Sequence, residues 1–314
     1  MNKRIEIPNT DLSVCPIGLG TVNAGLAWSG TDADRIFDTY LDYGGNLIDT
    51  ARVYASGRSE QVVGDWLRRS GKRGKAIIVT KGGHPKFDSP DDDLHIPRMT
   101  DADMRSDIEI SLRALGIDCI DIYFYHRDNR NQSVESEIET MERFVKEGKI
   151  RYYACSNWDA DRIILADAYC REKGYRGFIA DQALMNLGMK YMNPLQDDTL
   201  VYIKGDLYKY HLENPQNLVM PYMGVASGFF HGYINRGIEA VRSSPYCTER
   251  NIEVAERCKQ LMAKYSASVS QVVLGFFTQQ EFACAPLYGP KNAAQVVEAL
   301  GTLDIDFVKT DYDI

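Results

Sequence analysis

Three short segments decide the fold of this chain. They read Asn46-Leu47-Ile48-Asp49-Thr50, Ile77-Ile78-Val79-Thr80-Lys81 and Ile122-Tyr123-Phe124-Tyr125-His126. Each is mostly apolar and has an ionisable residue at or next to its end. A strand that is covered by helices on both faces has such a composition, because neither face meets water. The three segments therefore predict neighbouring strands of a parallel sheet.

The same alternation of apolar runs and amphipathic segments continues along the whole chain. Candidate strands cover 15–20, 46–50, 76–81, 120–126, 151–156, 178–182, 218–223 and 283–289. Candidate helices cover 32–43, 59–69, 101–115, 133–147, 160–173, 196–211, 248–264, 268–279 and 292–300. Eight strands that are each followed by helix predict an α/β fold, the (β/α)8 TIM barrel. A doubly wound sheet remains an alternative fold, although Gly18-Leu19-Gly20-Thr21 lacks the third glycine of a dinucleotide fingerprint.

The N-terminus and the loops complete the predicted architecture. Segments 4–7 and 12–14 flank Pro8-Asn9-Thr10-Asp11, which predicts a β-hairpin that closes the barrel bottom. Long loops at 82–97 and 229–248 would follow strand ends, where the active sites of barrels lie. Without a linker or repeat, residues 1–314 are expected to form a single domain.

Composition limits the classes of partner. A net charge of -8 and a pI of about 5.3 argue against nucleic acid as the main partner. No segment is apolar for long enough to suggest a membrane span, and the N-terminus does not read as a signal peptide. The seven cysteines form no CxxC pair and the five histidines show no ligand spacing, so we expect reduced thiols, a cytoplasmic protein and no metal. The oligomeric state is not predicted.

Four ionisable residues stand at or just beyond the ends of three consecutive strands. They are Asp49, Tyr54, Lys81 and His126. A lysine beside a tyrosine lowers the pKa of the phenol, an aspartate holds the lysine, and a histidine can donate to a carbonyl oxygen. Such a set is suited to protonating a carbonyl oxygen while its carbon gains a hydride. Taken alone, each residue is more often explained by helix capping, packing or solvation, and the functional interpretation gains from their joint occurrence on three successive strands.

The order and spacing of short motifs over nearly the whole chain resemble the aldo-keto reductase family. The matching stretches are Gly18-Leu19-Gly20-Thr21, Asn46-Leu47-Ile48-Asp49-Thr50-Ala51, Tyr54, Gly57-Arg58-Ser59-Glu60, Val79-Thr80-Lys81, Tyr125-His126-Arg127, Gly148-Lys149-Ile150-Arg151, Ala154-Cys155-Ser156-Asn157-Trp158, Asp181-Gln182 and Leu287-Tyr288-Gly289-Pro290-Lys291-Asn292. The resemblance implies a barrel reductase that uses a nicotinamide cofactor. Tyr54 would be the general acid and base, Lys81 and Asp49 would tune it, and His126 would orient the carbonyl.

The resemblance also assigns residues to the cofactor. Near the nicotinamide and strand ends these are Gly20, Thr21, Ser156, Asn157, Gln182 and Tyr222. The hydroxyl and amides at 156, 157 and 182 would bond the carboxamide, and the tyrosine would stack on the ring. For the pyrophosphate the residues are Met223, Val225 and Gly228, where Met223 replaces the serine of many relatives and backbone N–H groups would have to serve. Met223 can equally be a space-filling residue.

The adenosine end and the substrate end follow from the same resemblance. Adenosine contacts are expected at Gly289, Lys291, Asn292, Gln295 and Glu298. A lysine at 291 favours NADP(H) over NAD(H), although a glutamine stands at 295 where many NADP-using relatives have arginine, and the lysine can also be a solvated charge. Candidate substrate contacts are Trp28, His84, Arg127 and Trp158, which would suit a sugar, a polyol or an aryl carbonyl. For Trp158 a place in the core is equally compatible with the sequence.

Three functions follow from these features. The first is an NAD(P)-dependent oxidoreductase that interconverts a small-molecule aldehyde or ketone and its alcohol. The second is a non-catalytic, cofactor-binding regulatory subunit of the same fold. The third is a metal-dependent barrel isomerase, against which the lack of a carboxylate and histidine cluster counts.

Overall fold

The structure, a computed structural model, describes residues 3–86, 89 and 91–313. Within them an antiparallel pair precedes eight parallel strands. The strands are β1 Ile5–Glu6, β2 Ser13–Val14, β3 Gly18–Gly20, β4 Leu47–Asp49, β5 Ile77–Gly82, β6 Ile120–Tyr125, β7 Ile150–Ser156, β8 Ala180–Gln182, β9 Leu218–Val219 and β10 Leu287–Tyr288. Every strand predicted from the sequence is present at its expected place, with shorter bounds for several.

The parallel sheet closes on itself. Its strand order is β10-β3-β4-β5-β6-β7-β8-β9, so β9 and β10 are the two ends of the series. Between them Val219 N donates to Ala283 O at 2.9 Å, Ala285 N to Val219 O at 2.8 Å and Leu287 N to Pro221 O at 2.8 Å. The fold is therefore the predicted (β/α)8 barrel, and the doubly wound alternative is wrong because an open sheet has no such closing bonds.

The strand period decides which side chains enter the barrel. Leu47 and Val79 lie in the interior cluster, whereas Ile48 and Ile78 lie in the cluster against the helices. Because side chains alternate along a strand, the next inward position after each interior residue is two residues on. For the eight strands these positions are Gly20, Asp49, Lys81, His126, Ser156, Gln182, Tyr222 and Gly289. These eight predicted site residues thus form the top layer of the barrel interior.

The hairpin β1–β2 covers the opposite end of the barrel. Its buried residues Ile7, Leu12 and Val14 belong to the same cluster as the interior residues of the strands. The turn is tied to the strand beginnings, since the Arg176 guanidinium donates to Pro8 O at 3.0 Å. The predicted plug at the barrel bottom is confirmed.

The helices cover the outside of the barrel. They are α1 Gly30–Asp42, α2 Arg58–Ser70, α3 Asp101–Leu115, α4 Val134–Lys146, α5 Ala160–Lys173, α6 Gly205–Glu213, α7 Phe229–Arg236, α8 Glu249–Tyr265, α9 Val269–Thr278 and α10 Ala293–Leu300. Two predictions were wrong. Helix α6 begins at residue 205 rather than 196, and the predicted loop 229–248 contains α7.

Local contacts explain both differences. The Asp197 carboxylate accepts the backbone N–H of Thr199 at 3.0 Å, a turn that competes with helix formation. The chain then pairs with Leu184, which donates to Val201 O at 2.8 Å. Helix α7 forms because Phe229 and Phe230 bury their rings against the outer helices, and the glycines that flank it mark its ends rather than a loop.

Several other expectations concern the chain as a whole. All seven cysteines are unpaired, as predicted. Within residues 3–86, 89 and 91–313 no helix combines the length and hydropathy needed to cross a bilayer, and no group of histidine, cysteine and carboxylate side chains could hold a metal. The loop predicted at 82–97 includes Phe87, Asp88 and Pro90, and the N-terminal prediction includes Met1 and Asn2. These five residues lie outside the described ones.

Close packing of α2 on α3 positions the segment that carries Tyr54. Gly64 of α2 faces α3 so closely that a Cβ atom there would lie 2.3 Å from Ala114 O. On the same helix the Ser59 hydroxyl donates to Thr21 O at 2.9 Å, and Glu60 accepts the Thr80 hydroxyl at 2.6 Å. The Ser59 hydroxyl also lies 2.8 Å from that of Thr50, so the start of α2 is fixed against three neighbouring strands or their ends.

Replacing Gly64 by alanine should separate α2 from α3 and lower the free energy of unfolding by roughly 1–3 kcal/mol. Gly74→Ala is the matched control, because a Cβ at residue 74 meets nothing within 4 Å. Urea unfolding followed by circular dichroism measures both. Equal midpoints for the two variants would contradict the close packing.

Candidate active site

A buried ion pair forms the centre of the barrel mouth. The Lys81 ammonium lies 2.8 Å from Asp49 Oδ2 and also donates to Thr50 O at 2.8 Å. Both side chains are almost fully buried. Burial opposes the charge on Lys81, but attraction to Asp49 and Tyr54 outweighs it and raises the lysine pKa. Burial raises the pKa of Asp49 as well, and the attraction of Lys81 opposes that rise. The third donor position of the ammonium faces Tyr54, whose hydroxyl lies 3.2 Å from Nζ.

The tyrosine is aimed by a strained turn. Ala55, Ser56 and Gly57 follow it in left-handed conformation, with φ angles of 51°, 55° and 87°. For residues that carry a Cβ this conformation is costly and is retained where the surroundings impose it. The turn brings the Tyr54 ring back over the barrel mouth, so that Nζ of Lys81 lies 4.8 Å from the ring centre.

The acidity of Tyr54 differs from the sequence-based expectation. Burial raises the pKa of the phenol above its ordinary value of 10.0, and the opposing effect of Lys81 only reduces that rise. The expectation of an unusually acidic tyrosine is therefore wrong for this structure. The lysine still favours the ionised phenol relative to a site without it.

His126 completes the predicted set. Its ring centre lies 5.8 Å from that of Tyr54 and 4.7 Å from that of His84, with both rings edge-on to it. Burial, then the charges of His84, Arg127 and Lys81, hold the pKa of His126 well below its usual range. The imidazole is neutral at pH 7, so one ring nitrogen donates and the other accepts.

The residues assigned to the nicotinamide carboxamide lie together at the next strand ends. Gln182 Nε2 donates to Asp49 Oδ1 at 2.7 Å, which links the amide to the ion pair. Asn157 Nδ2 donates to Ser156 Oγ at 3.0 Å and to His126 O at 3.3 Å. Its Oδ1 accepts the Tyr222 hydroxyl at 2.6 Å. The carboxamide of a nicotinamide would have to replace some of these hydrogen-bond partners.

The segment after β9 has an unusual backbone. Met223, Ala226 and Ser227 have φ angles of 55°, 50° and 51°, and Gly228 follows with 79°. Gly228 N donates to Val225 O at 2.9 Å, which closes a tight turn. Successive N–H groups in such conformations form concave anion sites. The backbone, rather than the missing hydroxyl at residue 223, is therefore suited to phosphate oxygens.

The residues assigned to adenosine flank the start of α10. Asn292 caps the helix, since its Oδ1 accepts Gln295 N at 3.1 Å. Gln295 Oε1 in turn accepts Lys291 N at 2.7 Å, so the glutamine orders the residue that precedes the cap. Gly289 and Lys291 are exposed and Glu298 is half-buried. The segment 289–298 therefore offers a lysine and a polar helix start at the surface.

Thr21 and the two tryptophans lie away from the open site. The Thr21 hydroxyl is fully buried and donates to Asp49 O at 2.9 Å. Trp28 is buried against Phe37 and its indole N–H donates to Pro290 O at 3.1 Å, so this predicted substrate contact joins two loops in the structure. Trp158 is fully buried and donates to Arg127 O at 3.1 Å. It is the core residue that the sequence left as its alternative.

Arg127 lines the mouth but is held by the protein. Its guanidinium donates to Asp197 Oδ2 at 3.0 Å, to Thr199 Oγ1 at 3.0 Å and to His126 O at 2.9 Å. It borders a cavity of about 770 Å³ between the loops that follow β5, β6, β7 and β8. Of the predicted substrate contacts, Arg127 and His84 are therefore at the site.

Sequence reasoning missed residues that support the site from behind. Asn186 donates to Met223 O at 3.1 Å and to Tyr246 Oη at 2.8 Å, which anchors the left-handed segment. Asp197 and Thr199, which lie in the wrongly predicted helix, hold Arg127. An Asp-x-Thr turn signal at 197–199 was available in the sequence, whereas nothing local marks Asn186.

Comparison with known proteins agrees with this arrangement. The family model described as "Aldo/keto reductase family" matches residues 16–314. An aryl-alcohol dehydrogenase of Pestalotiopsis microspora is 28% identical over 56% of this chain and 48% of its own length. An NADH-specific methylglyoxal reductase of Escherichia coli is 27% identical over 98% of this chain and 96% of its own. An NADP(+) aryl-alcohol dehydrogenase of Phanerodontia chrysosporium is 28% identical over 59% and 51%.

The matched lengths differ between these relatives. The alignments span about half the length of the two fungal dehydrogenases and nearly all of the bacterial reductase. The family model covers nearly the whole chain. The structure combines the barrel, the N-terminal hairpin that closes its bottom, and at its mouth the tetrad of Asp49, Tyr54, Lys81 and His126. The chain therefore belongs to the aldo/keto reductase family.

Proposed function

We propose that this protein is an NAD(P)H-dependent reductase of small-molecule aldehydes or ketones, with Tyr54 as the general acid. The observation that carries the proposal is the Tyr54 hydroxyl at 3.2 Å from the buried, aspartate-paired ammonium of Lys81. The proposal agrees with the names of relatives, which include a methylglyoxal reductase and aryl-alcohol dehydrogenases.

The polar and aromatic groups around the barrel mouth suit a nicotinamide dinucleotide. Tyr222 offers a ring face, and Asn157 and Gln182 offer amides at the barrel mouth. The left-handed segment 223–228 offers backbone N–H groups, and a Cβ at Gly228 would meet nothing within 4 Å, so the backbone is open to a phosphate. At Gly289 a Cβ would find its nearest atom at 3.8 Å, which leaves room beside the strand end. Lys291 follows Gly289 by two residues and is exposed.

Each residue at the barrel mouth has a separate role in carbonyl reduction. A bound reduced nicotinamide supplies the hydride to the carbonyl carbon. Tyr54 gives its proton to the carbonyl oxygen, and Lys81 stabilises the tyrosinate that remains. Asp49 holds the ammonium charged and aimed. His126 is neutral and is placed to donate a hydrogen bond to the same oxygen, which orients the carbonyl toward Tyr54.

Replacing Tyr54 by phenylalanine should remove the proton donor and leave the aromatic packing. We expect kcat for aldehyde reduction to fall at least about 100-fold, with NADPH binding by fluorescence titration unchanged. Tyr43→Phe is the control, because Tyr43 is an exposed residue directly after α1. Full activity of the Tyr54 variant would refute the assignment. Tight cofactor binding without turnover of any carbonyl by the unaltered protein would favour the regulatory-subunit function.

The pH profile follows from the directions of two pKa shifts. The pKa of His126 is lowered, so it is neutral throughout the neutral range, and the pKa of Tyr54 is raised, so it keeps its proton to above about pH 10. We therefore expect kcat/KM for reduction to be level from about pH 6 to about pH 10 and to fall only above that. A step near about pH 6.5, where an ordinary histidine titrates, would contradict this.

Cofactor preference is testable at the adenosine end. We propose that NADP(H) is preferred, because Lys291 stands exposed beside the polar start of α10. Replacing Lys291 by alanine should weaken NADPH binding roughly three- to tenfold and change NADH binding little. Parallel titrations with both cofactors measure this. Equal affinities in the unaltered protein would contradict the preference.

A further inference from the structure

A second, smaller cavity lies beside the Tyr54 turn. It has a volume of about 400 Å³ and is distinct from the larger cavity that Arg127 borders. Its walls come from the segment 52–56, from the start of the loop after β5, and from the side of α3. Its polar lining residues include Arg52, Ser56, His84, Lys86, Arg98 and Ser106.

The charges around this cavity do not balance. Arg98 is compensated, since it donates to Asp107 Oδ1 at 2.8 Å, and Asp107 also accepts Gly83 N at 2.9 Å. Arg52 and Lys86 make no ion pair with any carboxylate in the part of the chain that the structure describes. Nε of Arg52 is buried and lacks a hydrogen-bond partner among these residues. Burial raises the pKa of the Glu60 carboxyl and the charge of Arg52 opposes that rise, so the two groups interact without a direct ion pair. Two cations thus line a cavity whose own carboxylate, Asp107, is already bound by Arg98.

Arg52 is held in place by its surroundings. Its backbone N donates to Lys81 O at 3.0 Å, which fixes it next to the central ion pair. Its guanidinium passes so close to Gly57 that a Cβ there would lie 2.6 Å from Nη1. Among the described residues no carboxylate contacts the Arg52 guanidinium directly. A partly buried cation without such a contact is costly, and a bound anion would offset that cost.

The imidazole of His84 lies between this cavity and His126. His84 lines it and packs edge-on against His126 with ring centres 4.7 Å apart, and His126 packs in the same manner against Tyr54. Ser56 lies two residues after Tyr54. The imidazole of His84 thus lies between His126 and the cavity, so a substrate that occupies both places has to pass this ring.

We propose that this cavity is an anion subsite that binds a carboxylate or phosphate group at the far end of the carbonyl substrate. The guanidinium of Arg52 can form paired hydrogen bonds to two oxygens, and Lys86 adds a point charge. The hydroxyls of Ser56 and Ser106 are further donors on the wall. The inference rests on the proposed carbonyl reduction and narrows its substrates to anionic aldehydes or ketones.

Matched substrates test the subsite. We expect kcat/KM for 4-carboxybenzaldehyde to exceed that for neutral 4-formylbenzamide at least about tenfold, and likewise for glyceraldehyde 3-phosphate over glyceraldehyde. The pair with the larger ratio identifies carboxylate or phosphate as the preferred group. Rising salt should reduce the preference. Equal kcat/KM within both pairs would overturn the subsite and leave the proposed reductase function intact.

Variants assign the preference to the cavity. Arg52→Gln should lower the ratio of anionic to neutral kcat/KM about tenfold, and Arg52→Lys should keep part of it. Lys86→Gln, at an exposed residue, is the second variant should Arg52→Gln not fold. Arg68→Gln, an exposed arginine in the last turn of α2, is the control. An unchanged ratio in both the residue 52 and residue 86 variants would overturn the proposal.

Direct binding separates the subsite from the reductase function. Inorganic phosphate and benzoate are titrated into the protein and followed by calorimetry. Saturable binding that Arg52→Gln abolishes supports the subsite even if no carbonyl is turned over, an outcome that would refute the reductase function alone. Absence of binding, together with equal turnover of anionic and neutral aldehydes, refutes the subsite.

Discussion

The buried ion pair between Lys81 and Asp49 is the constraint on which the rest of the site depends. An ammonium inside a barrel is stable only if its charge and its protons are satisfied. The aspartate satisfies the charge, and Thr50 O and the Tyr54 hydroxyl take the other two donors. The same carboxylate accepts from Gln182, so the ion pair connects the proton donor to the proposed nicotinamide site. Removing either charge would leave the other buried and unpaired.

Strand geometry decides which residues surround this pair. The interior positions at the top of all eight strands hold residues that sequence motifs had singled out. All of them except Gly20 lie two residues beyond an apolar interior residue, which is the spacing of side chains on one face of a strand. The apolar layer below excludes water from the lower side of the ion pair. The hairpin closes that layer from beneath, which is a structural role far from the chemistry.

Two strained segments flank the mouth. The left-handed turn after Tyr54 directs the phenol to Lys81, and the left-handed turn after Tyr222 exposes backbone N–H groups. Both turns are held by side chains from elsewhere, Ser59 through the start of α2 and Asn186 through Met223 O. The energetic cost of these conformations is offset by packing, which keeps the proton donor and the proposed phosphate site in fixed places.

Local sequence patterns determined the strand order, the inward residues, the hairpin and the identity of the tetrad, because strand alternation and turn chemistry act over a few residues. Tertiary structure decided what depends on residues distant in the chain. Burial made Tyr54 less acidic than its lysine neighbour suggested. The indole of Trp28 donates to an acceptor 262 residues away, a contact that no local pattern indicates. The start of α6 moved because residues 200–203 pair with Leu184. The cavity beside Arg52, which forms no ion pair within the described part of the chain, exists only because three separate segments enclose it.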